Sequence, residues 1–134
     1  MFTTTTKTHD RGSSTVELSI LAPLALVLLL GLLQAGLWWH TRSLCTHAAQ
    51  QGATAAATAS GSSSSGEQAA QGFLARSASA ATAPEVAARV GAAEVTVRVS
   101  ASTPLVLPVP GLQIPVEGTA HMSKERFTTP GTTP

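Results

Sequence analysis

Residues 18–41 read LSILAPLALVLLLGLLQAGLWWHT, a run of 24 positions with no Asp, Glu, Lys or Arg. As an α-helix this run is about 36 Å long, enough to cross a hydrocarbon core of roughly 30 Å. Ten of the fifteen Leu in the chain fall between Leu18 and Leu37. Each Leu near the middle of a membrane helix favours insertion by about 0.5 kcal/mol. The polar residues Ser19 and Gln34 lie towards the ends, and Trp38 and Trp39 close the run. Paired indoles at such a boundary prefer the headgroup level.

The rest of the 134 residues does not supply a core that would bury this helix. Charged residues make up 11% and aromatics 4%, with no Tyr. Ala, Ser and Thr together contribute 55 residues. Lys and Arg number 8 against 7 Asp and Glu, a formal charge of +1. A two-domain enzyme is excluded by size, and the charge argues against a basic nucleic-acid binder. One cysteine, Cys45, excludes an internal disulfide framework and a multi-cysteine zinc site.

A second reading of the apolar run is a cleaved secretory signal, which would release a small secreted binding module. Lys7 and Arg11 would be its basic region and residues 18–33 its apolar core. That core reaches or exceeds the roughly 7–15 residues expected. The following Gln34-Ala35-Gly36-Leu37-Trp38-Trp39 is a poor small-residue cleavage site. A third reading is a membrane-anchored accessory subunit of another complex. For the anchored readings, Lys7 and Arg11 before the run and Arg42 after it give a slight positive-inside bias. The expected protein is single-pass in the cell membrane, with a cytoplasmic N-terminus and an extracytoplasmic C-terminal region.

The expected fold class is α+β. A transmembrane helix continues into an exported stalk helix, followed by a small helix and a small antiparallel sheet. The expected organisation is a short cytoplasmic leader at 1–12, the membrane and stalk helix at 13–60, and a Gly/Ser linker at 61–66. A small exported α+β region at 67–127 and a disordered tail at 128–134 follow. Within the stalk, Cys45, Ala48, Gly52, Ala55 and Ala59 recur at helical spacing, a stripe of small side chains suited to packing on another helix. Ser65-Gly66-Glu67-Gln68 has the form of a capping box, opening a helix from Glu67 to about Ala80 that buries Ala70, Phe73 and Leu74. Thr82-Ala83-Pro84 reads as the start of a short turn or helix ending near Gly91. Val95, Val97 and Val99 alternate as a strand. Residues 105–107 and 112–114 are further strand candidates restricted by prolines, and residues 116–122 a weaker last strand.

Chemistry-bearing constellations are sparse. His9, His40, His47 and His121 are scattered without a completing carboxylate or cysteine, so no metal and no cofactor is expected. The serines form no nucleophile elbow, and no catalytic residue is assigned. Cys45 reads as a small packing residue, with an intermolecular disulfide as the alternative. Gly31 and Ala35 form a small-x-x-x-small pair that permits close helix approach. Pro23 is either a tolerated membrane proline or a hinge.

The run Asp10-Arg11-Gly12-Ser13-Ser14-Thr15-Val16-Glu17 precedes the apolar segment. A carboxylate there is favoured by the helix N-terminus, yet it is costly near hydrocarbon unless paired. This junction, the span with Pro23 and Gly31-Leu32-Leu33-Gln34-Ala35-Gly36, and Ala48-Ala49-Gln50-Gln51-Gly52-Ala53-Thr54-Ala55-Ala56-Ala57 occur together over residues 10–60. In that order they resemble the TadE-like family, pseudopilins of tight-adherence (Tad/Flp) pilus assembly. The resemblance implies a structural, non-enzymatic component of a pilus assembly or secretion system. It implies prepilin-type processing between Gly12 and Ser13, which would place Glu17 at the fifth position of the mature chain. The new amine would then pair with Glu17 of a neighbouring subunit, with Gly31, Ala35 and Gly52 as helix-packing positions. Leu18 stands where related pilins often carry an aromatic. The implied partners are the lipid bilayer, other pilin-like subunits, a prepilin peptidase, a platform membrane protein and a secretion ATPase, with no nucleic acid.

Overall fold

The computed structural model describes residues 11–77, 81–106 and 110–124. The chain forms α1 (Arg11–Ala57), α2 (Ser63–Ser77), β1 (Thr82–Val90), β2 (Glu94–Thr103) and β3 (Ile114–Ser123). This is the expected α+β layout of a long apolar helix, a small helix and an antiparallel sheet. Two compact units partition it, Met1–Leu33 and Gln34–Pro134.

In the first unit, α1 carries the apolar sequence and runs without interruption through Pro23. Proline removes the bond that its nitrogen would make to the Ser19 carbonyl. The Ser19 hydroxyl donates to the Thr15 carbonyl at 2.8 Å, so that hydroxyl is satisfied inside the helix. Every side chain from Thr15 to Leu33 is exposed, apart from the half-buried Leu30.

In the second unit, the strands form a meander of order β1-β2-β3, each pair antiparallel. The period of two puts Val95, Val97, Val99 and Ala101 of β2 on one face, all buried. The register brings Val97 opposite both Ala88 and Ala120, and Val99 opposite both Val86 and Gly118. Residues 45–57 of α1 and α2 cover that face. Their buried residues are Cys45, Ala48, Ala49, Ala53, Ala56, Ala57, Ala70 and Leu74. A core of Ala and Val yields little area per residue, so elements must approach closely to exclude water. Three glycines make this possible. A Cβ on Gly52 would lie 2.7 Å from the Gly66 carbonyl oxygen, and a Cβ on Gly66 would lie 3.0 Å from that of Gly52. A Cβ on Gly118 would collide with the backbone of Cys45 and Thr46.

Several expectations are corrected. Thr82-Ala83-Pro84 opens a strand, not a turn or helix. Val86, Ala88 and Val90 face inward at a period of two, and the register shifts between Thr82 and Glu85. Ala83 has a φ of 48° at that irregularity, and bulges are where strands accommodate both proline and unusual φ. The second helix begins at Ser63, before Glu67, so Ser63 to Gly66 are helical rather than linker. The capping box is Ser62 with Ser65: the Ser65 N–H donates to Ser62 Oγ at 3.2 Å, and the Ser62 N–H to Ser65 Oγ at 3.0 Å. The end expected near Ala80 lies outside the described residues. Ala70 and Leu74 are buried as expected, with Phe73 packed partly against the core. The buried stripe of α1 passes through Ala53 and Ala56, whereas Ala55 is half-buried and Ala59 exposed. It meets the chain's own sheet and α2. Leu105 and Val106 are not in a strand, and Leu107 lies outside the described residues. Of residues 112–114 only Ile114 is in a strand, and it opens β3. Residues 1–10, with the basic Lys7, and the tail 128–134 also lie outside the described residues.

Candidate functional site

The apolar face of residues 16–33 is the largest chemical feature of the chain. Eleven large side chains are exposed there: Val16, Leu18, Ile20, Leu21, Leu24, Leu26, Val27, Leu28, Leu29, Leu32 and Leu33. Leaving one such side chain in water forgoes roughly 1.5–3 kcal/mol. Eleven amount to something on the order of 20 kcal/mol, more than the roughly 5–15 kcal/mol that stabilises a typical domain. A surface of this kind belongs against lipid or protein. The helix is long and apolar enough to cross a membrane, and none of its most apolar window is buried.

At the N-terminal edge, Gly12 and Ser13 lie within α1, and Glu17 is exposed one turn further on. Glu17 makes no ion pair among the described residues. Gly31 has nothing within 4 Å of where a Cβ would be, and Ala35 is exposed. Gly52, in contrast, is enclosed by Gly66, Ala70 and Val97 of its own chain. The six positions singled out in the sequence are therefore not one cluster. All six lie along α1, with Gly12, Ser13, Glu17 and Gly31 in the first unit and Ala35 and Gly52 in the second, where Gly52 alone is enclosed.

The second unit begins earlier than the end of the apolar run. Gln34 donates through Nε2 to the Pro104 carbonyl at 3.3 Å and accepts at Oε1 from the Val106 N–H at 2.9 Å. Trp38 packs partly against the core, and the Arg42 guanidinium lies 5.5 Å from its ring centroid, within cation–π range. Trp39 remains 68% exposed. Gln34 and Trp38, which belong to the uncharged run 18–41, are thus engaged by the folded unit. Sequence reading missed this role of Gln34, since its partners lie about seventy residues away (separations of 70 and 72).

Elsewhere, side chains that carry chemistry are dispersed. Cys45 is fully buried, and burial pushes its thiol pKa up. It occupies a packing position and is closed to an intermolecular disulfide while the unit is folded. His121 Nδ1 lies 3.0 Å from Glu94 Oε1 and 3.1 Å from Thr96 Oγ1 on the exposed sheet face. Arg98 pairs with Glu117 at 2.8 Å on the same face. Exposed pairs of this kind contribute at most about 1 kcal/mol. His40 and His47 are both exposed. No group of three or more metal-ligating side chains occurs among the described residues.

No curated protein and no solved structure matches the chain. The TadE-like protein family does, over residues 12–54. That region takes in the junction, the exposed apolar helix and the packed Ala/Gly segment through Gly52. The family is structural and associated with the Tad pilus. Over residues 12–54 the chain is therefore similar to the TadE-like family, whose members are associated with the Tad pilus.

Proposed function

We propose that the chain is a single-pass membrane pseudopilin-like component of a tight-adherence type pilus assembly or secretion apparatus, with a mechanical rather than catalytic role. One observation carries the reading: eleven large apolar side chains are exposed along residues 16–33 of the helix that the family match covers. In this reading residues 16–33 sit in lipid, the N-terminus is cytoplasmic, and the second unit is extracytoplasmic. Prepilin-type cleavage between Gly12 and Ser13 exposes a new amine. Glu17 pairs with that amine on a neighbouring pilin-like subunit, because a lone carboxylate is costly at the edge of hydrocarbon and a pair less so. Gly31 within the bilayer and Ala35 at its edge offer the surface on which helices approach. Gly52 acts inside the fold, holding α1 to α2. The partners are the bilayer, other pilin-like subunits, a prepilin peptidase and the membrane proteins of the assembly platform.

The test is deletion of the gene, with complementation by the wild-type chain and by Glu17→Gln, scored by surface pili and by the N-terminus of the membrane-extracted protein. The reading expects loss of pili on deletion, restoration by wild type only, and a mature chain starting at Ser13. Intact pili in the deletion strain contradict the assembly role and favour an accessory subunit of another complex. An N-terminus at Met1 or Phe2 contradicts the processing step.

A further inference from the structure

The two ends of the sheet differ in charge. In the rows from Glu94 to Ser100, β2 and its neighbours present Glu94, Arg98, Arg89, Glu85, Glu117 and His121. Beyond Ser100 the rows pair Ala101 with Val116, Ser102 with Thr82 and Pro115, and Thr103 with Ile114. No charged residue occurs anywhere from Val99 to Val116. At this end the chain leaves β2 through Pro104, Leu105 and Val106, all half-buried, and returns through Pro110, Gly111 and Leu112. Pro110 and Leu112 share a shallow cleft with Pro104 and Leu105. Gly111, with a φ of +81°, makes the turn that leaves Leu112 51% exposed.

Gln34 holds this end to the first residues of the second unit. Both bonds of its side-chain amide go to Pro104 and Val106, and Gln34 directly follows Leu33, the last residue of the exposed apolar helix. Eighteen helical residues from Val16 to Leu33 rise about 27 Å, slightly less than a hydrocarbon core of roughly 30 Å. The residues next after Leu33 thus fall at the boundary between acyl chains and headgroups. An exposed Leu beside prolines, with no charge nearby, is suited to that boundary, where apolar groups insert by several ångströms.

We infer that the uncharged end of the second unit, formed by Pro104 to Val106 and Pro110 to Leu112 and bonded to Gln34, the residue next after Leu33 in sequence, rests in the bilayer interface. The occupant is lipid: the headgroup and upper acyl region of the leaflet on the side of the second unit. The contact restrains the unit against the membrane surface, which a single helix alone would leave free to swing. It rests on the proposal that residues 16–33 span the bilayer.

The experiment uses the full-length chain carrying Cys45→Ala, reconstituted into vesicles of phosphatidylethanolamine and phosphatidylglycerol. Single cysteines Leu112→Cys, Thr119→Cys and Leu26→Cys are labelled with an environment-sensitive fluorophore. Each is challenged with aqueous iodide and with lipid bearing a nitroxide near the headgroup. The expected result is a blue-shifted Leu112 probe, quenched by lipid nitroxide and shielded from iodide. The Thr119 probe, on the exposed sheet face, is quenched by iodide alone. The Leu26 probe is shielded from iodide and reports the span. If Leu26 is shielded while Leu112 behaves as Thr119 does, the interface contact is overturned and the span stands. If Leu26 is open to iodide, the span itself is overturned, and the contact with it. Lipid quenching at Thr119 as strong as at Leu112 also contradicts the contact, because the uncharged end would then have no special place.

Discussion

Gly118 and Gly31 are both glycines of one small protein, yet they do opposite things. Gly118 lets β3 touch the backbone of α1 at Cys45 and Thr46, where a methyl group has no room. Both colliding partners are backbone, so the strain of Gly118→Ala cannot be relieved by a rotamer change. Its expected cost is about 3 kcal/mol or more. Gly31→Ala enters open space and is expected to change stability by no more than about 0.5 kcal/mol. Urea unfolding of the full chain in detergent, followed by Trp38 fluorescence and circular dichroism, separates the two. Cys45 supplies a second residue-level test. Its thiol pKa is raised by burial from an ordinary 9.0, so the folded state keeps its proton at pH values where the unfolded chain loses it. That contribution to stability is complete below the ordinary value and is lost as pH climbs towards the raised one. No Tyr is present to titrate in the same window. Stability is expected to fall as pH rises past 9.0, and Cys45→Ala to flatten that fall, as read by unfolding midpoints across an alkaline pH series.

Helix α2 is held at its start by hydroxyls rather than by a charged cap. Removing the Ser62 hydroxyl leaves the Ser65 N–H, in the first turn of the helix, without its acceptor. Ser62→Ala is expected to destabilise by about 1 kcal/mol, within the roughly 0.5–2 kcal/mol usual for lost caps. Amide exchange in residues 63–66 checks it: protection should drop there first, and unchanged protection would contradict the cap. The sequence made some elements plain and hid others for identifiable reasons. The apolar stretch of α1 was legible because nothing else in the chain has its Leu density, and β2 because Val95, Val97 and Val99 alternate without ambiguity. The start of α2 was obscured by a run of four serines, in which any position could serve as cap. Strand β1 was hidden by Pro84, which imitates a helix start, and by Ala87 and Ala88, which carry no contrast between faces. The buried face of α1 was blurred for the same reason, since Ala53, Ala55, Ala56 and Ala59 are identical letters that only the packing distinguishes. Gln34 and the Gly52–Gly66 contact depend on partners distant in sequence, and no local pattern encodes them.

For the whole molecule, the decisive quantity is the apolar surface carried by residues 16–33. The positions proposed for processing and assembly, Gly12, Ser13 and Glu17, stand at one edge of that surface. The packed second unit starts at Gln34, at the other. A secreted form cut after Ala35 would lose Gln34 and with it both bonds to Pro104 and Val106. Retention of the helix therefore agrees with the integrity of the second unit as well as with anchoring. The most direct measurement is alkaline carbonate extraction of cells, followed by mass mapping of the N-terminus in the pellet and in the medium. The account predicts a chain that resists extraction and retains residues 16–33. A polypeptide found wholly in the medium and beginning at or beyond Gly36 would contradict it.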